Sequence, residues 1–465
     1  MPRKEKTTLK ILLAALLLPY FAQAQKKETD STLVDATLDN VVVYAIKHQP
    51  LIQQSIIDQE TTETTITSKL ADWYPQLNFN YNAIHNFALV PNYAFGNVVR
   101  FGVNNSSLAQ FAFSQNIFNR DVFLASKTKT QVRIQAAQNT SANKINLAVS
   151  VTKAFYDVLA TQEQIKVGQG DIIRLKQSLK TAYDQYIGGL VDKIDFKRAT
   201  ITLSNTMATL KSNQELLKYK TEYLKSLMGY PIMAQLKISY DTLQMENEIL
   251  LDTLQQPEYT NRIDYKLLST QRNLQEANIK YNQWSYLPTV ALSGSYNFYF
   301  LGLKQMPNTN PTATNPGATA LVRSNSLSDL YKSNTPYSLA MLTVNVPIFQ
   351  GGKRTANIRQ EKWQLKRLDW DIKNLKNNVN AQYAQALSAY KANLITYQSL
   401  KQNVELAKEV YDIVQLQYKT GIKTYLEVIT AETDFRTARI NYYNALYTLL
   451  ASKIDVQYAL GQINY

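Results

Sequence analysis

Gln417-Tyr418-Lys419-Thr420-Gly421 repeats, 232 residues later, the pattern of Gln185-Tyr186-Ile187-Gly188-Gly189. At the same offset Ala199 meets Ala431 and Gly229 meets Gly461. Toward the N-terminus, Trp73-Tyr74-Pro75 returns as Trp284-Ser285-Tyr286-Leu287-Pro288, offset by 211 to 213, and Pro50-Leu51 maps near Asp264-Tyr265 at 214. The offset thus grows by about 19 residues between Pro288 and Phe349, which places an insertion in the second half. A period above 200 residues describes a duplicated domain rather than a short-repeat solenoid. The repeats are read as residues 25–229 and 258–465, joined by a segment over 230–257.

Two long stretches upstream of the repeated turns are free of proline, Asn119–Tyr186 and Lys353–Tyr418. Residues 383, 390, 397, 404, 411 and 418 are Tyr, Tyr, Tyr, Val, Tyr and Tyr, and their counterparts are Val151, Val158, Ile165, Ile172, Leu179 and Tyr186. A second series, Leu203, Leu210, Leu217 and Leu224, is matched by Phe435, Tyr442, Leu449 and Val456. A sustained period of seven presents one stripe to a neighbouring helix, as in a coiled coil. The tyrosines are accordingly read as packing residues with hydroxyls at the wet edge. Helices of this length span about 100 Å. They are expected to stop at Gly188-Gly189 and at Thr420-Gly421, where the chain turns back.

Four segments change to period two: Leu77–Phe87, Leu108–Phe118, Val290–Phe300 and Ala340–Phe349. Leu77, Phe79, Tyr81 and Ala83 alternate with Asn78, Asn80 and Asn82; Leu342, Val344, Val346 and Ile348 alternate with Thr343, Asn345 and Pro347. Each run has the length of a tilted transmembrane strand. The same alternation describes a half-buried soluble sheet. Aromatic strand ends and a secretory leader favour the membrane. Polar connections, Ala88–Ser107 and the Asn-, Thr- and Pro-rich Leu301–Tyr337, are expected as external loops. Four strands cannot close a barrel, and an open edge in lipid leaves backbone groups unsatisfied, so several copies of the chain must contribute.

The leader is residues 1–24: Arg3, Lys4, Lys6 and Lys10 precede and overlap a short apolar core, Leu9–Leu18, before Ala22-Gln23-Ala24. Its loss leaves about +11 of the net charge of +14. A basic chain that leaves the cytoplasm is not expected to bind nucleic acid. The 465 residues include 14 glycines, 13 prolines, two histidines and no cysteine. The last excludes disulfides, thiolate metal sites and thiol nucleophiles. His48 and His85 have no carboxylate cluster beside them, and Gly351-Gly352-Lys353-Arg354-Thr355 fails as a phosphate loop because Pro347 stands at its first glycine position. No enzyme, metal or cofactor is expected.

In order and spacing these motifs resemble the outer membrane efflux protein family, the TolC-like channel-tunnels. The resemblance is carried by Thr37–Leu51, Trp73–Leu77, Tyr286-Leu287-Pro288, Val346–Gly352, Gln417–Ala431 and Leu460-Gly461. It implies a mixed fold: a trimeric 12-stranded transmembrane β-barrel, four strands per protomer, continuous with a long α-helical coiled-coil tunnel in the periplasm. It also implies an outer-membrane conduit of a tripartite export system, for efflux or type I secretion, working with a periplasmic adaptor and an inner-membrane pump. The alternative is an adaptor-like coiled-coil component of the same kind of system, but adaptors carry one helical hairpin rather than two. Three site residues follow from the family: Tyr418 and Lys423 in the second hairpin tie to Asp195 in the first and hold the tip shut. Glu427 stands at one acidic pore position of the family and Thr430 replaces the second, so a single carboxylate ring is expected. The turns, Gly188, Gly189 and Leu190 with Gly421 and Ile422, are the expected adaptor contacts. Ordinary solvated helix-end charges are the competing reading of the same residues. Repeat one departs at Phe118-Asn119-Arg120, where repeat two has Phe349-Gln350-Gly351-Gly352, and that junction is expected to bend differently.

Overall fold

A computed structural model describes residues 33, 35–94, 96–100, 102–189, 192–240, 242–307, 319–324, 326–332 and 334–463. The proposed leader and Leu190 lie outside the described residues.

Each half builds the same series. In the first, α1 (Leu38–His48) and α2 (Pro50–Ala71) lead into β1 (Gln76–His85) and β4 (Asn105–Phe118), then α3 (Arg120–Ile187) and α4 (Lys193–Met228). In the second, α6 (Ile263–Gln283) leads into β5 (Thr289–Leu301) and β8 (Asn334–Asn345), then α8 (Lys353–Lys419) and α9 (Tyr425–Leu460). The rods α3 and α8 have 68 and 67 residues, and α4 and α9 have 36 each. At a rise of 1.5 Å per residue the rods run about 100 Å, as the absence of proline predicts. The expected polar loops are not wholly irregular. One holds a hairpin of β2 (Pro91–Ala94) and β3 (Asn97–Arg100). The other holds β6 (Leu303–Pro307), β7 (Thr319–Arg323) and the single turn α7 (Leu327–Leu330).

The main sheet is antiparallel in the order β1-β4-β5-β8, so within one chain β1 and β8 each have an unpaired edge. Pairing Phe79 with Phe111 and Phe111 with Tyr296 gathers aromatics on one face, where the Phe79 and Phe111 rings stand 5.0 Å apart. The other face carries a polar ladder. Asn80 donates to Gln110 at 3.4 Å and Gln110 donates to Asn297 at 2.8 Å. This is the apolar-out, polar-in division expected of strands between lipid and water.

The fourth strand differs from its expected limits of Ala340–Phe349. It begins six residues earlier, at Asn334, and ends at Asn345. The ladder ends two residues before Pro347, which has no N–H to donate, although the alternation continues to Phe349, whereas Pro336 is tolerated near the other end of this edge strand. At the other end, register with β5 from Phe300 to Ser295 draws the polar stretch Asn334–Leu339 into the sheet.

The strand-to-helix junctions are built differently, as expected. Asn119 caps α3, its side chain accepting from the Asp121 amide at 2.8 Å. At α8 the chain instead passes through two left-handed glycines, Gly351 and Gly352.

The main core lies midway along the rods, where α1, α2, α3, α4 and α9 bring together Val41, Ile52, Phe155, Leu159, Leu224, Met228 and Leu449. The segment 230–257, including the short α5 (Thr242–Asn247), is packed against this waist through Tyr230, Met245 and Ile249. The tyrosine stripe holds it: Tyr390 donates to the Ile249 carbonyl at 2.9 Å and Tyr383 to that of Gln255. Tyr442 and Lys401 both bond Glu246, the latter at 2.8 Å. The hydroxyls of Tyr383 and Tyr390 therefore reach linker carbonyls rather than the wet edge.

The glycines that end helices differ in what surrounds them. Gly229 has φ +66° and a Cβ there would lie 2.6 Å from the His48 carbonyl oxygen, whereas Gly189, φ +71°, has open space. Gly189→Ala should cost only the dihedral strain, about 1–2 kcal/mol. Gly229→Ala adds a backbone clash and should cost more than about 2 kcal/mol. Thermal unfolding of the solubilised protein checks the ranking; equal losses would refute it.

Candidate gate at the hairpin tip

The turn Gly188-Gly189 joins α3 to α4, and the turn around Gly421 joins α8 to α9. Gly189 and Gly421 both take positive φ, +71° and +77°. The two hairpins meet mainly along α3 and α9. Near the tip Ala182, Ala199 and Tyr425 form a small apolar knot with Leu179, Tyr418 and Ile429 against it. Two alanines at this crossing let the helices approach closely enough for Tyr425 to fill the space between them.

Tyr418 lies in the last turn of α8 and donates its hydroxyl to the Gln185 side chain of the first hairpin. Its ring stands 5.6 Å from that of Tyr425. Burial raises the Tyr418 pKa first, and the charge of Asp195 raises it further. Asp195 occupies the first turn of α4, one turn inside the N-cap Asp192, whose side chain accepts from the Ile194 amide. Tyr418 and Asp195 are thus brought into one neighbourhood, but the direct bond goes to Gln185.

Lys423 is turned elsewhere. Its ammonium pairs with Glu427 at 2.6 Å on its own hairpin. Glu427 also accepts from the Thr424 amide at 2.9 Å, completing a capping box at the start of α9. Within one chain, then, Lys423 does not reach Asp195, and Glu427 is a compensated cap rather than a bare carboxylate. Sequence reasoning missed Gln185, Thr424 and Tyr425. The Thr-x-x-Glu spacing and the i, i+4 separation of Lys423 and Glu427 were readable signals for that part. Of the turn residues expected to contact an adaptor, Gly188, Gly189, Gly421 and Ile422 are exposed, and Ile187 and Ile194 add exposed apolar surface beside them. A cavity of about 340 Å³ opens between the hairpins just above the tip, lined by Gln185, Gln415, Tyr411 and Tyr425 among others. The two histidines sit far away, His48 on α1 with its Nδ1 3.0 Å from the Tyr44 carbonyl and His85 on β1 beside Asn105.

The sequence profile of the outer membrane efflux protein family matches residues 41–230 and 261–462. The chain belongs to that family. Outer membrane protein TolC of Vibrio cholerae is 21% identical over 468 residues, 96% of each chain. Proteases secretion protein PrtF of Dickeya chrysanthemi is 21% identical over 342 residues, 71% of this chain and 68% of PrtF. A crystal structure of CusC superposes with a TM-score of 0.70 at 16% identity, covering 95% of both chains. Similarity of that extent fixes the channel-tunnel fold, a helical tunnel joined to barrel strands.

The cap gives a pH prediction. The hydrogen bond from Lys423, then that from Thr424, lowers the Glu427 pKa to about 2. A depressed carboxylate stabilises above its ordinary pKa, and the contribution is lost as pH falls through the folded value. The α9 start should therefore stay protected against amide exchange down to about pH 3, after correction for intrinsic rates, and Glu427→Ala, which removes the acceptor that a glutamine would keep, should remove that protection at pH 6. Equal exchange in the two proteins would discard the capping box.

Proposed function

We propose that the chain is the outer-membrane channel-tunnel of a tripartite export system, for efflux or type I secretion, and that it acts as a passive conduit gated at its periplasmic tip. The observation that carries this is the four-stranded sheet, two-faced and open at both edges, at one end of rods of about 100 Å. Three copies supply twelve strands and close the edges, with the sheet in the outer membrane and the helices in the periplasm. The turns at Gly188, Gly189, Gly421 and Ile422 then face a periplasmic adaptor, which links the tunnel to an inner-membrane pump. The adaptor-like alternative is disfavoured by two helical hairpins per chain and by strands set between helices. The conduit needs no catalytic residue, and its cargo is set by the pump it serves.

Membrane fractionation should recover the protein in the outer membrane, and native mass measurement in detergent should give three chains. A soluble periplasmic monomer would end this reading.

The gate we infer from Asp195, Tyr418, Lys423 and Glu427 works through the interactions of the tip. Tyr418 holds the second hairpin to the first through Gln185 and lies beside the Asp195 charge. The Lys423–Glu427 pair stiffens the turn, and across protomers Lys423 is free to exchange Glu427 for a neighbour's Asp195. Asp195→Ala with Lys423→Ala leaves net charge unchanged and should raise conductance of the trimer in a planar bilayer. Glu427→Gln leaves the Lys423 charge uncompensated at the constriction and should move the reversal potential toward anion permeability. Wild-type conductance and selectivity in both variants would remove these residues from the gate.

A further inference from the structure

Above the tip, on the seam between the hairpins, lies a set of charged groups that the gate does not use. Asp171 on α3 is fully buried and Glu432 on α9 is 3% exposed. Arg174 on α3 reaches Asp171 with its guanidinium and comes within 3.6 Å of Glu432. Arg439 of α9 stands 3.9 Å from Asp171. Arg436 of α9 is diverted to α4, donating to the Thr206 hydroxyl at 2.7 Å. Tyr411 of α8 and Tyr425 of α9 close the site, and α4 faces it with the uncharged Thr206. Asp171 Oδ2, both oxygens of Glu432, the Arg174 Nε and the Tyr425 hydroxyl are buried without a hydrogen-bond partner.

A buried carboxylate that accepts no hydrogen bond is held by charge alone, and its desolvation opposes that attraction. Both oxygens of Glu432 are in this state, at the contact between the two hairpins. Separating the hairpins would return the carboxylate to water. Docking and ionisation are therefore in competition at this one side chain.

We propose that Asp171, Arg174 and Glu432 form a proton-operated latch between the two hairpins, docked when Glu432 is protonated and loosened when it ionises. Burial, helped by the charge of Asp171 and opposed by Arg174 and Arg436, raises the Glu432 pKa to about 7, and burial raises that of Asp171 as well. A group whose docked pKa lies above its free value stabilises docking below the free value, 4.5, and loses that contribution as pH rises to the docked one. The seam is thus tightest in acid and weakens toward neutral pH. The inference uses the reading of the tip as a gate, but its readout is a distance and not transport, so either can fail without the other.

The chain has no cysteine, so Ile187→Cys with Ile422→Cys gives one labelled position on each hairpin. In full-length protein diluted with unlabelled chain, pulsed spin–spin distances should show a close population at pH 5 that shrinks by pH 7.5. The ratio should change by at most about tenfold per pH unit for one linked proton. Glu432→Gln, which imitates the protonated acid, should keep the close population at both pH values. Glu432→Gln leaves His48 and His85, on α1 and β1, unchanged. Asp171→Asn removes a neighbouring negative charge and should move the midpoint to lower pH, which keeps the test open if Glu432→Gln does not fold. A wild-type distribution that ignores pH, a Glu432→Gln protein that follows wild type, or an unmoved midpoint in Asp171→Asn would each overturn the latch.

Discussion

A strand edge facing hydrocarbon leaves a row of amides and carbonyls without partners, at several kcal/mol for each group. Among the described residues β1 and β8 each have one unpaired edge, and in the proposed barrel the rest of the molecule follows from closing them. The sheet is only four strands wide, and in the proposed trimer its completion comes from neighbouring copies of the chain. Strands tilted in a barrel hand the chain to helices at a common level, and those helices leave the bilayer side by side. The same tyrosines and leucines that line one rod against the next within a protomer repeat at a spacing suited to a wall of many rods. The demand that begins in the membrane is thereby transmitted about 100 Å along the helices to the tip.

The helices were legible because punctuation is sparse and strong: no proline for more than sixty residues, then glycines that take positive φ at 189 and 421. The strands were legible by alternation, but alternation cannot see hydrogen bonding. Val346 to Phe349 continues the pattern beyond the end of the ladder at Asn345, and Asn334 to Ser338 looks like loop until β5 is laid beside it. Two departures at the tip have different causes. Lys423 and Glu427 sit four apart and could have been paired on paper. That Tyr418 selects Gln185 over Asp195 could not, because both lie on the other hairpin and only the packing of Tyr425 between Ala182 and Ala199 decides which is in reach.

The tip and the seam above it divide the labour by burial. Around Lys423 and Glu427 both partners are substantially exposed, and a pair of that kind contributes little and is screened by salt. Around Glu432 water is excluded, so the same charges interact strongly but are expensive to keep ionised. In the proposed gate and latch, one layer answers to ionic strength and the other to proton concentration.

The heptad stripe has one more consequence. A helix whose apolar residues recur every seven positions fits its neighbours almost as well after sliding by one repeat, about 10 Å. The stripe of α8 does not prevent such a slip, since Tyr383, Tyr390 and Tyr397 are themselves seven apart and each phenol would take its neighbour's place. The ion pair of Asp369 with Arg272 of α6 opposes it, because the residues seven positions to either side of Asp369 are Lys362 and Lys376, which would meet Arg272 with like charge. A single carboxylate set among lysines thus acts as an index mark for the axial position of α8 against α6.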